Sequence, residues 1–310
     1  MGMRPRWIRS DHVIASTQRT VDRQFLFRPD PQICNLIGAS AIRAAEKNPV
    51  NIYWLEFNIN HEQNGIAPIS DSREHRNHII LFKQTFHRLI AEGLNDILGR
   101  EGGVYSTPSR SIDCLDNPSV QQQFFYAMTN VVKDGLVDKV AHWKGFSSYA
   151  QLAAGKDVTF TWLDRTAWHK QKNRKNAKPL SAFSRRGRIA YAPLPGTEHM
   201  RIDERQRFIR REVRLLEDRF REERESEGRS VMPPAKLEKV DPRSRPRNPK
   251  EGTKMPLCHS SCPFLAARYE AELKEFISAY RIASAEYRAG NYDVEFPMGS
   301  CRPPLIGLAA

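Results

Sequence analysis

His61, Gln63, Tyr126 and Asn130 have residue types and spacings that suit chemistry on a phosphodiester. The stretch Trp54-Leu-Glu-Phe-Asn-Ile-Asn-His-Glu-Gln63 alternates in polarity. Read as one strand, it lines Tyr53, Leu55, Phe57, Ile59, His61 and Gln63 along one face and sets two metal-capable groups side by side. Further along, Tyr126-Ala-Met-Thr-Asn-Val-Val-Lys-Asp-Gly-Leu-Val137 places Tyr126 and Asn130 one turn apart on a helical face. Two ligands on a strand facing a tyrosine and an amide on a helix suit metal-assisted attack of a tyrosine on phosphorus.

The elements needed to position these groups are readable in outline. His12 to Val21 reads as a first strand, with Val13, Ala15 and Thr17 on one face. Asp30-Pro31 supplies an N-cap and a first-turn proline, and Ile33, Leu36, Ile37, Ala41 and Ala44 form the apolar stripe of a helix that stops at Asn48-Pro49. After Gln63, Asn64-Gly65 reads as a turn and Ile66 to Ile69 as a short strand. Ile79, Phe82, Phe86, Leu89, Gly93 and Ile97 predict a second core helix ended by Gly99. Short strands are expected at 103–106 and 110–115, before a helix capped by Asn117-Pro118 that carries Tyr126 and ends at Gly135. The fold class expected is α+β: a ferredoxin-like (RRM-like) antiparallel sheet with helices packed on one face, plus a helical C-terminal extension.

The residues around the four candidates resemble a known family. Tyr126, Asn130, Val132, Gly135, Leu136 and Val137, followed by Trp143 and Ser147-Ser148, match a pattern of the single-tyrosine transposases of the HUH (His-hydrophobic-His) superfamily, in particular the REP-associated and insertion-sequence type. Arg23-Gln-Phe-Leu-Phe-Arg-Pro-Asp30 also reads like that family, and the resemblance runs over roughly residues 10 to 150. Gln63 stands where the second histidine belongs, as in some viral replication members, and Glu62 replaces the hydrophobic residue between them. The resemblance implies Tyr126 as the nucleophile, a 5′-phosphotyrosine intermediate, and His61, Gln63 and Asn130 as ligands of Mg²⁺ or Mn²⁺. It also implies single-stranded or hairpin DNA as substrate.

Composition agrees with a polyanionic partner. The chain has 310 residues and a formal charge of +13, with pI near 9.7, a field that concentrates phosphates at the surface. Nine Lys or Arg and no acid lie between Arg165 and Arg188, supplying +9 of that charge. This run is either a solvated face or a phosphate-tracking segment beside the site, with Lys170, Lys172, Arg174, Lys175, Arg185 and Arg186 as nucleic-acid-binding candidates and Trp168 and Phe183 able to stack on bases. Five cysteines at irregular spacing do not describe a disulfide framework, and Cys258-His-Ser-Ser-Cys262 lacks the second ligand pair of a zinc site. No apolar run approaches the roughly 20 residues that cross a bilayer, and Met1 to Arg6 lacks a signal-peptide core, so a cytoplasmic location is expected.

The expected organisation is a DNA-binding or catalytic domain over 1–150, a basic segment over 151–200, a charged helix over 201–230, a linker over 231–262 and a C-terminal helix and tail over 263–310. In the charged helix, Ile209, Val213, Leu216 and Phe220 form one narrow stripe in need of a partner, and Asp203-Arg207 and Glu217-Arg221 are expected ion pairs. A second copy of the chain is a further candidate partner. Two functions compete at this point: a DNA strand transferase, and a non-catalytic nucleic-acid-binding protein on the same scaffold. A weaker third is an interaction protein dominated by the helical tail.

Overall fold

The computed structural model describes residues 5–106, 109–246 and 256–301. The first residues of the N-terminal segment, positions 247–255 of the expected linker and the tail from 302 onwards lie outside the described residues. In chain order, β1 (Val13–Arg19), α1 (Pro31–Lys47), β2 (Asn51–Asn58), β3 (His61–Ala67), α2 (Arg73–Leu98), β4 (Arg110–Cys114) and α3 (Asn117–Lys133) come first. They are followed by α4 (Tyr149–Leu152), β5 (Phe160–Leu163), α5 (Arg165–His169), β6 (Ser184–Gly187), α6 (Ile202–Ser226), α7 (Pro234–Glu238), β7 (Cys258–His259) and α8 (Pro263–Arg288). The architecture is α+β. The main sheet runs β2-β3-β1-β4-β7, antiparallel until β7, which joins β4 in parallel.

Local sequence explains the helix ends. Asp30 accepts from the amides of Gln32 at 2.8 Å and Ile33 at 3.4 Å, with Pro31 opening α1. The cap of α3 lies one residue earlier than Asn117-Pro118 suggests: Asp116 accepts from the Ser119 amide at 2.8 Å, and Pro118 sits in the first turn. Gly99 and Gly135 have φ of 56° and 70°, the left-handed conformation a helix exit requires.

The strand carrying His61 is not the one the alternation suggests. β2 ends at Asn58, the chain turns at Ile59-Asn60, and His61 opens β3. Asn58 holds that turn, taking the Ile59 amide at 2.6 Å while its Nδ2 donates to Asp134 at 2.7 Å. The reversal changes which side chains share a face. His61 and Gln63 pair with Asn58 and Glu56 of β2, so they face the same side as Trp54 and the opposite side from Leu55 and Phe57. Asn64-Gly65 is not a turn but the middle of β3, and the expected strand from Ile66 is its last part. Gly65 is there because the buried Trp54 indole lies across it, where any Cβ would fall inside the ring.

Helices cover both faces of the sheet, in place of the expected single face. Leu55, Phe57, Ile66 and Ile14 form one core with Ile33 and Ile37 of α1 and Phe82, Phe86 and Ile90 of α2. Val13, Trp54 and Cys114 form a second core with Val120, Phe124, Met128 and Val131 of α3. The charged helix α6 finds its partner there: Ile209 and Val213 are buried against this second core, and Leu216 and Phe220 pack at its edge. The Asp203–Arg207 pair forms at 2.9 Å, but Arg221 pairs with Asp218 while Glu217 accepts the Val140 amide at 2.6 Å. The basic run belongs to a β5–β6 hairpin seated on α1, where Phe160 lies over Gly38 and Asn35 donates to the Thr161 carbonyl at 2.8 Å. In a third cluster, Tyr269, Leu273 and Phe276 of α8 pack with Trp7.

Candidate active site

The face of the sheet beneath α3 brings the sequence candidates together. Asn130, 5% exposed, donates through Nδ2 to His61 Nε2 at 2.8 Å and to Gln63 Oε1 at 3.1 Å. On the other side of the imidazole, Nδ1 lies 2.8 Å from Asn60 Oδ1. An amide oxygen can only accept and an amide nitrogen can only donate, so His61 carries its proton on Nδ1 and turns the Nε2 lone pair towards Asn130 and Gln63. Burial, and secondarily the charge of Arg19, push its pKa down to about 4, which keeps the ring neutral at physiological pH.

Glu62 points the other way. It is fully buried in the α2 layer, where His87 Nε2 lies 2.6 Å from Oε1, the Tyr105 hydroxyl donates to Oε2 at 2.9 Å and Asn64 donates to Oε1 at 3.3 Å. The residue separating the two candidate ligands is therefore bound into the far core and leaves the site to His61 and Gln63. The Tyr105 phenol is raised well above its usual range by burial and by this carboxylate.

Tyr126 stands one turn before Asn130 on α3 and is 39% exposed, with Lys133 Nζ 4.7 Å from its ring centroid. It shares with His61, Gln63 and Asn130 a cleft of about 640 Å³. Arg19, Arg23 and Arg110 also line this cleft. Burial first, and then the charges of Arg23 and Arg110, lower the Arg19 pKa. The rim turn holding Arg23 has Asp22 and Arg23 at φ of 50° and 57°, a conformation uncommon for residues with side chains.

Other candidates lie elsewhere. Lys170, Lys172, Arg174, Lys175, Arg185 and Arg186 do not line the cleft; they belong to the mostly exposed hairpin carried by α1, in the layer across the sheet. Two of them sit near aromatic rings: Lys172 Nζ is 5.7 Å from the Trp168 ring centroid and Arg185 Cζ 5.9 Å from that of Trp162. Cys258 and Cys262 are free thiols, and the described residues hold no group of three or more His, Cys, Asp or Glu arranged for a metal. Burial pushes the Cys34 and Cys114 thiols up to about 11 and about 12, so neither is a reactive thiolate at neutral pH. The Ser147-Ser148 pair grips Glu56: Ser148 donates its amide at 3.0 Å and its hydroxyl to the carboxyl, which burial raises to about 7.

Sequence reasoning missed Arg19, Arg23, Arg110 and His259 as cleft residues. Arg19 continues the Val13, Ala15, Thr17 alternation, so its face was available. His259 had no local signal, because it reaches the cleft only through the two-residue strand β7, paired beside Cys114. Arg19 pairs with His61 and Val13 with Cys114. The two histidines thus mark opposite ends of β1, separated by roughly 20 Å along the strand direction at about 3.3 Å per residue.

No family model and no curated protein matches the chain. Among solved structures, a REP-associated tyrosine transposase bound to a REP hairpin is similar over 50% of this chain and 86% of its own, at 17% identity and a TM-score of 0.39. A likeness of that degree assigns neither fold nor family.

Proposed function

We propose that this chain binds single-stranded or hairpin DNA and cuts and transfers a strand through Tyr126. The observation that carries the reading is the Asn130 amide bridging His61 and Gln63, one helical turn from an exposed tyrosine in an arginine-lined cleft. The strand order β2-β3-β1-β4 with interleaved helices supports a ferredoxin-like scaffold for this site. In this reading the Tyr126 oxygen attacks phosphorus, the bond to the 3′-oxygen breaks, and a 5′-phosphotyrosine and a free 3′-hydroxyl result. The phenol proton goes to water, and water protonates the departing oxygen. Arg19, Arg23 and Arg110 hold the phosphate charges, and Lys133 lies over the tyrosine ring.

His61 Nε2 and Gln63 Oε1 both face the Asn130 amide, and with that amide turned to present its oxygen the three would form a neutral, mostly oxygen donor set that suits Mg²⁺ or Mn²⁺. Such an ion, when bound, supplies Lewis-acid polarisation of a phosphoryl oxygen. With no carboxylate in the set, affinity for the ion depends on the DNA phosphate being present.

A second reading, a DNA-binding protein without cleavage, is favoured by one detail. The two acceptors are already satisfied by the Asn130 nitrogen, an arrangement complete without a cation. Incubation with hairpin-containing single-stranded DNA and Mn²⁺ decides between them. The transferase reading expects a covalent adduct that vanishes in Tyr126→Phe and rises in Gln63→His, because imidazole ligates more strongly than an amide. DNA binding with no adduct from wild type or Gln63→His leaves the non-catalytic reading.

A further inference from the structure

We infer that Asn60 is a positioning residue for His61, holding the imidazole in the one tautomer that offers Nε2 to the cleft. Four contacts define it. Asn60 Oδ1 accepts from His61 Nδ1 at 2.8 Å, while its Nδ2 reaches the Arg23 carbonyl at 3.5 Å. Its own carbonyl accepts both the amide and the hydroxyl of Thr20, each at 3.0 Å. The contact to Arg23 fixes which end of the amide is oxygen, and the Thr20 contacts fix the backbone from which it projects. Swinging the Asn60 side chain away from the ring would give up its contact to the Arg23 carbonyl.

The choice of tautomer matters because a free imidazole in water favours the proton on Nε2, the atom that must be bare to accept from Asn130 or to ligate a cation. An acceptor at Nδ1 works against that preference, as does the Asn130 amide that donates to Nε2, and among the described residues Asn60 supplies the acceptor. Outer partners of this kind set ligand orientation and typically change metal affinity by about 10- to 100-fold when removed. The chain from the Arg23 carbonyl through Asn60 and His61 to Asn130 and Gln63 also joins the arginine rim of the cleft to the candidate ligand set.

This assignment rests on the ligand role proposed above for His61, and the test separates the two. Full-length protein labelled with ¹⁵N-histidine, at pH 7, is examined by two-bond ¹H–¹⁵N correlation, with the His61 signals identified by their disappearance in His61→Gln. Wild type is expected to carry the proton on Nδ1. Asn60→Ala moves it wholly or partly to Nε2, whereas Asn60→Asp, which keeps an acceptor, restores Nδ1. Mn²⁺ binding in the presence of single-stranded DNA, followed by electron paramagnetic resonance, weakens about tenfold or more in Asn60→Ala and recovers in Asn60→Asp. A proton on Nε2 in wild type, or an unchanged tautomer in Asn60→Ala, overturns the positioning role. A tautomer that moves as expected while wild type binds no Mn²⁺ upholds the positioning role and removes the ligand role.

Discussion

Glu62 and His87 face each other at 2.6 Å on the side of β3 turned away from His61. The contact closes a buried polar cluster with Tyr105 and Asn64, so replacing the carboxylate alone leaves three donors without this partner. Glu62→Leu should cost roughly 2–4 kcal/mol in urea unfolding, the scale of buried groups left unsatisfied. The triple variant Glu62→Leu, His87→Leu, Tyr105→Phe should recover part of that stability, because it removes two of the three donors along with the acceptor. A triple variant no more stable than Glu62→Leu would show that the carboxylate matters for some other reason.

Gly65→Ala puts a methyl into the Trp54 indole, which is 1% exposed. The expected destabilisation is about 1–3 kcal/mol, typical of overpacking a filled core. Trp54→Phe in the Gly65→Ala background should relieve part of it. Thermal unfolding of the three proteins measures both effects.

Glu56 gives the fold a pH dependence of definite sign. Its carboxyl ionises near the ordinary value in the unfolded chain but holds its proton up to about 7 when folded, because burial penalises the anion. The folded state binds the extra proton between those values. Its contribution to stability therefore declines as pH rises from about 4.5 to about 7 and is level on either side. The shift corresponds to roughly 3 kcal/mol across the window. Glu56→Gln should flatten that part of the stability profile while the rest keeps its shape.

Arg19 and Arg110 in the cleft and the lysines of the β5–β6 hairpin should separate in a salt titration. Neutralising Lys170, Lys172, Arg174 and Lys175 together should weaken DNA binding about equally across sequences. It should also lower the slope of log affinity against log salt by about 0.7 for each single-strand phosphate that the variant no longer neutralises. At saturating DNA the adduct yield should be unchanged, because these residues are not in the cleft. Arg19→Ala should lower that yield even at saturation. An unchanged salt slope in the quadruple variant would assign the hairpin cations to solvent.

What could be read from the sequence was what is encoded locally. Asp30-Pro31 and Gly135 punctuate helices through interactions within a few residues, and the structure has those helices. The β2–β3 turn was hidden because Ile59-Asn60 carries no glycine or proline, while Asn64-Gly65 looks like a turn. The glycine is there for the distant Trp54 ring. His61 and Gln63 still share a face despite the misplaced strand, because residues two apart on any strand do so. What changes is the face: Leu55 and Phe57 go to one core, and His61 and Gln63 to the other. Arg110 and His259 reach the cleft through pairings that join segments far apart in the chain, and no local pattern announces such pairings.

The short strand β7 has a consequence for assembly. A sheet edge offers bare amides and carbonyls to any passing strand, including one from an identical molecule. Here the chain closes both borders with its own later segments: Cys258 and His259 lie along Asp113 and Cys114 on one side, and Ser147 and Tyr191 bridge to Glu56 and Ile52 on the other. At those positions two copies cannot join by continuing the sheet from one into the next. Two copies joined strand to strand would have to meet at other edges, such as those of the β5–β6 hairpin.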